Sequence, residues 1–414
     1  MMLWFRLSAM DISRFTETKT GQLVPVVTED GPDHAFIPDP LPPPEWRLPD
    51  RLWPLLTQAR EQLGRLDEKG NAMRNPSLLL QPLQKREALR SSAMEGTYAT
   101  AKELLLFELG QRDQASKDDK AREVANYDEA LRFGVNNLSD SSTNGLPLSR
   151  RLIQEMHKIL MNGVRGHDGY AGQLRTKHVY VGSGQRYVAP PPSQPLIDSL
   201  NALETFIHEH GDVHDPLVRS YLVHYQFEAI HPFRDGNGRI GRLLLALTTW
   251  MWCGLTLPWL YMSPYFERFK DEYIDNMFRL STHGDWDRWI EFCLNGTIAQ
   301  SKDAMRKCDA LGNLRERMKA QMGGRARLTN VIDSMFIAPI FTSAEVANWG
   351  GNKSLATARR DIEELEKAGW VKYLDGHKPK TYYCPWILSI AYNERDSQDR
   401  DVSEATEPVA KSSE

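Results

Sequence analysis

The sequence predicts a mainly α-helical protein, its helices interrupted by one β-hairpin and followed by a small C-terminal winged helix-turn-helix domain. Three observations predict this. Apolar residues recur at helical spacing from Arg51 to about residue 320. One stretch, RTKHVYVGSGQRYVAPPP, breaks the period: Val179 and Val181 alternate with polar or amphipathic neighbours, a Gly-Ser-Gly turn follows, and Tyr187 and Val188 resume the strand. Beyond the linker MGGRAR (322–327) come three helical segments and two short strands, VKYLD and KTYYCP, the order of a winged helix.

In chain order, residues 1–50 are rich in proline (IPDPLPPPEWRLPD) and read as an extended arm, with Trp46 and Trp53 holding it down. Residues 51–135 form an N-terminal helical region. Its first helix stops at Gly70, and a second pattern runs through LQKREALRSSAMEGTYATAKELLLFELG. Residues 136–320 continue as helices around the hairpin, 325–390 form the small C-terminal domain, and 391–414 read as a disordered tail.

A chain of 414 residues with net charge −4 has room for two or three domains, and its overall charge attracts neither nucleic acid nor a membrane surface. The cysteines, Cys253, Cys293, Cys308 and Cys384, lie far apart without a CxxC. That spacing argues against a zinc site or a disulfide framework and suits a reducing cytoplasm. The opening MMLWFRLSAM is too short and too interrupted by Arg6 for a signal peptide. The uncharged run Leu243–Phe266 is broken by Gly254 and Pro258, so it reads as a buried helix and a turn rather than a membrane span.

Between two helical patterns stands HPFRDGNGRIGR, His231 to Arg242. Gly236 and Gly238 flank Asn237 where a helix begins, and both leave room for a ligand to approach the main chain. Free N–H groups at a helix start, backed by its dipole, bind anions. Arg239 and Arg242, three apart, add two cationic forks on one face. Asp235 would be repelled by that anion unless Mg²⁺ bridged it to phosphates. His231 can serve as general base, and Phe233 anchors the loop in the core. These parts suit phosphoryl or nucleotidyl transfer to a hydroxyl.

The stretch resembles the motif HxFx[D/E]GNGRxxR of the Fic (filamentation induced by cAMP) family, matching at His231, Phe233, Asp235, Gly236, Asn237, Gly238, Arg239 and Arg242. The resemblance implies a Fic-fold helical core and transfer of AMP from ATP·Mg²⁺ to a Ser, Thr or Tyr hydroxyl of a protein, the enzyme itself included. It casts His231 as the base and Asp235 as the Mg²⁺ ligand. Asn237 and the glycine-rich backbone then hold the α-phosphate region, and the arginines hold the outer phosphates, Arg242 the γ. Ile240 and Gly241 complete the nucleotide-binding loop.

VYVGSGQRYV falls where the family has a flap that docks the target chain, placing Val181, Gly182, Ser183 and Gly184 beside the nucleotide. FERFKDEYIDNM resembles the segment closing over the base, with Tyr273 the candidate there. SSAMEG resembles the inhibitory motif [S/T]xxxE[G/N], satisfied by Ser91, Glu95 and Gly96 on a helix expected over about 82–97. A carboxylate there would pair with Arg242 and spoil the productive pose of ATP.

Gly238 favours nucleotidyl transfer, because phosphate-transferring relatives carry Lys at that position. UMP transfer and removal of AMP remain alternatives. So does a DNA-binding regulator with a silent Fic sensor domain: residues 351–380 hold seven Lys/Arg against five Asp/Glu, a net of +2. His224 reads as structural. No membrane partner is expected, and the family's symmetric self-association makes a homodimer a possible state, although no dimer face is marked in the sequence.

Overall fold

The computed structural model describes residues 11–15, 20–73, 75–110, 119–139, 145–164, 169–182, 187–209, 214–323, 325–351 and 354–392. Its elements are strands β1 (Gly21–Thr28) and β2 (Gly31–Pro38), and helices α1 (Trp53–Asn71), α2 (Ser77–Met94), α3 (Ala101–Glu108), α4 (Asp119–Ser139) and α5 (Arg150–Leu160). Strands β3 (Tyr180–Val181) and β4 (Tyr187–Val188) precede α6 (Gln194–His208), α7 (Pro216–Ile230) and α8 (Asn237–Trp252). Then follow α9 (Ser263–Arg268), α10 (Lys270–His283) and α11 (Trp286–Gln321). The chain closes with α12 (Ala326–Ile337), β5 (Ile340–Thr342), α13 (Ser343–Trp349), α14 (Leu355–Lys367), β6 (Lys372–Leu374), β7 (Thr381–Tyr383) and α15 (Pro385–Tyr392).

Two compact units result, and they interleave along the sequence. One takes Met1–Arg74, Glu87–Ala99 and Asp118–Met305; the other takes Asn75–Arg86, Thr100–Lys117 and Arg306–Glu414. The division therefore falls inside α2 and α11 and not at the linear boundaries 51–135, 136–320 and 325–390 expected from composition. α12 also begins at Ala326, inside the stretch read as linker.

In the first unit, the centre is the antiparallel pair α7 and α8. From Leu217 to Ile230 every apolar side chain of α7 is buried, and Leu243, Leu244 and Leu247 of α8 have no exposure at all. Gly134 of α4 lets that helix close on Leu247 and Met156. No described helix is long and apolar enough to cross a membrane. The leucine-rich run is core.

The arm is where the sequence reading needs correction. Residues 21–38 form a β-hairpin, turned at Glu29-Asp30, with Thr28 Oγ1 accepting from the Asp30 N–H (3.2 Å) and donating to the Gly31 carbonyl (3.0 Å). β2 then pairs in parallel with β4 through Ala35 and Val188, so the flap hairpin is not isolated. It ends a four-stranded sheet of order β1-β2-β4-β3. Pro25 is tolerated because β1 lies at the sheet's edge. Phe15, Phe36, Tyr187 and Phe278 pack together beneath the sheet, with Phe36 and Tyr187 ring centres 5.2 Å apart. Trp46 does pin the arm, donating to Asp287 Oδ1 at 2.9 Å and packing on Trp286 and His214. Trp53 does not: it opens α1 and is 52% exposed.

In the second unit, the expected helices and hairpin are present, with two additions. Strand β5 pairs with β7 to give the order β5-β7-β6, and α15 follows the hairpin. Thr342 and Glu345 form a capping box that starts α13, and Ser354 caps α14 by accepting from the Thr357 N–H. Asp361 of α14 is buried and paired with Arg327 of α12 (2.6 Å), whereas Arg359 and Arg360 are exposed beside exposed Glu363 and Glu366. The tail beyond Tyr392 lies outside the described residues.

Candidate active site

Helix α7 ends because His231 turns left-handed (φ 50°), alone among the described non-glycine residues, and Pro232 has no N–H to continue the ladder. The corner is held by Arg175, whose Nε donates to the His231 carbonyl at 2.7 Å. His231 Nδ1 lies 3.2 Å from the Glu228 carbonyl. A carbonyl can only accept, so Nδ1 carries the proton and Nε2 presents its lone pair. Burial, reinforced by the Arg175 charge, pushes the His231 pKa down to about 4 against the opposing pull of the Glu228 hydrogen bond and of Glu95 and Asp235. At neutral pH the ring is an unprotonated base.

The loop after His231 is built by side chains that bind and stack on the loop itself. Asn237 clamps Phe233 twice, its Nδ2 donating to the Phe233 carbonyl and its Oδ1 accepting from the Phe233 N–H, both at 2.8 Å. The Phe233 ring lies flat on His157, 3.8 Å between centres and 3° from parallel. His157 Nδ1 accepts from the Gly172 N–H (2.9 Å), so its Nε2–H donates to the Asp235 carbonyl (3.0 Å). Gly236 needs its positive φ of 78°, and a Cβ there would press on Met161 and His157. These contacts give Asn237 a role its sequence position does not announce: its amide shapes the loop.

α8 starts without a side-chain cap, so its first N–H groups remain an anion site. A Cβ on Gly238 would collide with the Glu95 carboxylate and come within 3.0 Å of Arg242 Nη1, so this glycine admits an anion against the helix start. Arg242, 3% exposed, donates from Nε to Ser91 Oγ (2.8 Å) and from Nη2 to the Ser91 carbonyl (2.9 Å) and Glu95 Oε1 (2.7 Å). Burial would raise the Glu95 pKa, but the charge and hydrogen bond of Arg242 outweigh it and hold the carboxylate ionised. Burial likewise opposes the charge on Arg242, and Glu95, with Tyr273, Glu228 and Tyr127 behind it, more than restores it.

The remaining candidates separate. Arg239 is buried and paired with Glu123 (3.2 Å), with Asp235 Oδ2 at 3.8 Å, so it is engaged rather than open to the outer phosphates. The Asp235 side chain is 46% exposed, Oδ1 accepting from the Gly236 N–H. Ile240 is core. Gly241 gives its carbonyl to His224 Nδ1 at 2.9 Å. Tyr273, read as a lid over the base, is instead buried, its hydroxyl 3.0 Å from His224 Nε2 and its ring against Phe266. His224 is structural, as read: burial pushes its pKa down to about 3. Val181 pairs with Tyr187 and Gly182 turns with φ 89°, while Ser183 and Gly184 lie outside the described residues.

α2 delivers the Ser91–Glu95 segment. The helix closes at Met94, one residue before Glu95, and Gly96 takes φ 88°. Its C-terminal half is held at three points: Glu87 accepts from Tyr127 Oη (2.9 Å) and the Ser263 N–H (3.0 Å), Arg90 pairs with Glu267 (3.5 Å), and Lys270 Nζ donates to the Met94 carbonyl (2.7 Å). Lys270→Ala should loosen the end carrying Glu95 and raise ATP-dependent labelling by about fivefold, a charge-assisted bond to a carbonyl contributing about 1 kcal/mol when part-exposed. Wild-type labelling in that variant would show that the end is held without it.

The sequence reading missed His157, Arg175, Glu123, Glu87, Glu228 and Lys270. Each works through main-chain atoms or buried partners far away in sequence, which no local motif announces. Glu228 sits against Gly241 with Oε1 buried and without a hydrogen-bond partner among the described residues, and burial pushes its pKa up to about 8.

A helical corner carrying a neutral histidine, an uncapped helix start and a buried arginine bring together a base and the parts that suit an anion. Residues 53–136 match the model of the Fic/DOC family N-terminal region, and residues 147–248 match the model of the Fic/DOC family. These two segments are Fic/DOC family regions. Protein adenylyltransferase fic-1 of Caenorhabditis briggsae is 32% identical over 156 residues, 37% of this chain and 29% of that protein. Protein adenylyltransferase Fic of Drosophila virilis is 28% identical over 208 residues, 48% of this chain and 39% of that one. The match thus spans less than half the length of either relative. A Fic family protein from Desulfovibrio desulfuricans G20 shares the fold, with a TM-score of 0.52 at 20% identity, covering 82% of this chain and 98% of that one.

Proposed function

We propose that this chain is a protein adenylyltransferase held off by its own Glu95. The observation that carries the proposal is the 2.7 Å pair between Glu95 and Arg242 beside the uncapped start of α8, which begins six residues after a base that is neutral at physiological pH. A target hydroxyl gives its proton to His231 Nε2 as its oxygen bonds to the α-phosphorus of ATP. The bond from that phosphorus to the bridging oxygen breaks, and pyrophosphate leaves. The α8 N–H groups and Arg242 stabilise the charge on the phosphates.

The residues present suit Mg²⁺. Asp235 is a single exposed carboxylate at the mouth of the anion site, and no cluster of three or more His, Cys, Asp or Glu able to hold a metal occurs among the described residues. Such a site matches an ion that arrives with phosphates and takes one or two carboxylates from the protein. Bound there, Mg²⁺ would neutralise phosphate charge. Gly238 leaves room for the Glu95 carboxylate, which a side chain at that position would displace.

Incubation of the full-length Glu95→Gly chain with ATP and Mg²⁺, read by intact mass spectrometry, should show addition of AMP to the protein or to an added target. Addition of phosphate instead, or no addition to any protein in a cell extract, would overturn the reaction class.

A further inference from the structure

Arg175 belongs to no motif of the sequence, yet it joins three places in the fold. It is 5% exposed and lies in the stretch leading to β3. Its Nε donates to the His231 carbonyl (2.7 Å), Nη2 to the carbonyls of Pro190 (2.6 Å) and Ile230 (3.4 Å), and Nη1 to the Lys177 carbonyl (3.2 Å). Its own N–H donates to the Pro232 carbonyl at 3.0 Å. Ile230, His231 and Pro232 are the corner where α7 ends. Lys177 precedes β3 and Pro190 follows β4, so these two are the feet of the flap hairpin. No carboxylate among the described residues pairs with Arg175, and burial alone pushes its pKa down to about 10.

A buried guanidinium spending four of its five N–H donors on main-chain carbonyls is costly unless those carbonyls need a cation. Ile230 and His231 supply such a need, because carbonyls at a helix C-terminus carry its negative partial charge. The planar fork suits the task, since a lysine ammonium is a point charge that cannot fan out to four oxygens.

We propose that Arg175 is a positioning residue that ties the catalytic corner to both feet of the flap, so that a hydroxyl presented by the flap meets His231 Nε2 at a fixed place. This rests on the adenylyl-transfer reading, in which His231 is the base. Arg175 touches neither the nucleotide-binding helix start nor Arg242, so its loss should slow transfer without weakening ATP binding. Its charge, together with those of Glu95 and Asp235, also acts on the His231 ring. Removing a cation there makes the ring easier to protonate.

The test uses the full chain with Glu95→Gly as parent, and Arg175→Met and Arg175→Lys added to it. Both should lower kcat for AMP transfer, by about 10- to 100-fold for Met, the scale of an ångström-sized misplacement. KM for ATP should stay within about threefold of the parent. In Arg175→Met, but not Arg175→Lys, the acid limb of the kcat profile should move to higher pH. NMR titration of the His231 ring should show the same upward shift.

Transfer within threefold of the parent in both variants would overturn the proposal. So would equal losses in kcat and ATP affinity, which would make Arg175 general packing. If Arg175→Met fails to fold, Arg175→Lys decides by its kcat and KM. If the Glu95→Gly parent itself transfers no AMP, the adenylyl-transfer reading fails, while the NMR shift still tests whether Arg175 governs His231.

Discussion

His231→Ala lowers AMP transfer by about a thousandfold, the middle of the range for loss of a positioned general base. The geometry makes the expectation specific. Nδ1–H is committed to the Glu228 carbonyl, so Nε2 is the only ring nitrogen left to take a proton. Burial holds the ring neutral until the pH approaches 4, so a parent released by Glu95→Gly should keep a flat rate from pH 8 to about pH 5 and lose it below. The sign is that of a base: protonation at low pH removes the acceptor. Alanine also tests the backbone, since position 231 is left-handed and β-carbon residues resist that conformation. His231→Asn is the control, because asparagine tolerates positive φ better and cannot act as the base. Both variants should bind ATP with parental affinity, measured by the rise in melting temperature at saturating nucleotide. A variant retaining a tenth of the parental rate would mean that the target hydroxyl loses its proton elsewhere.

The chemistry of this site was legible because the motif is short and contiguous: His231, Asp235, the glycines and Arg242 fall within a dozen residues. Roles were less legible than identities. Asn237 looks like a phosphate ligand in sequence but spends its amide on Phe233 four residues back. Arg239 looks like a second phosphate fork until Glu123, from another helix, is placed beside it. Tyr273 sits at the expected position yet faces His224, because an aromatic residue at helical spacing buries more surface than a lid would.

The flap hairpin was read from its alternation and turn, but its pairing with β2 depends on partners some 150 residues apart. The β1–β2 hairpin did carry a signal, Asp30-Gly31 after a β-branched run. The prolines around it, which suit an edge strand, concealed it. His157 and Arg175 left no signal at all, since what they recognise is main chain.

Glu95→Gly should raise AMP transfer by roughly 30- to 150-fold. Glu95 holds Arg242 by a charge-assisted hydrogen bond, worth about 2–3 kcal/mol in a partly buried pair, and that free energy sets how rarely ATP wins the guanidinium. Two features keep the released arginine useful. Ser91 still accepts from Nε and Nη2, so the guanidinium stays oriented after the carboxylate has gone. The glycine at 238 leaves the helix start open where Glu95 lay, so the phosphates meet free N–H groups and no side chain. The same change has a cost in the absence of nucleotide, because Arg242 is 3% exposed and would lose its only carboxylate hydrogen bond among the described residues. The variant should therefore melt below wild type without ATP and gain more from saturating ATP than wild type does. Glu95→Gln separates charge from shape: its amide oxygen can still accept from Nη2, but with no charge the clasp weakens and the rate should fall between the two. Equal transfer by wild type and Glu95→Gly would show that Arg242 is already available in the resting protein. Activation without the larger ATP-induced gain in melting temperature would place the brake on the target side, at the flap, and not on the nucleotide.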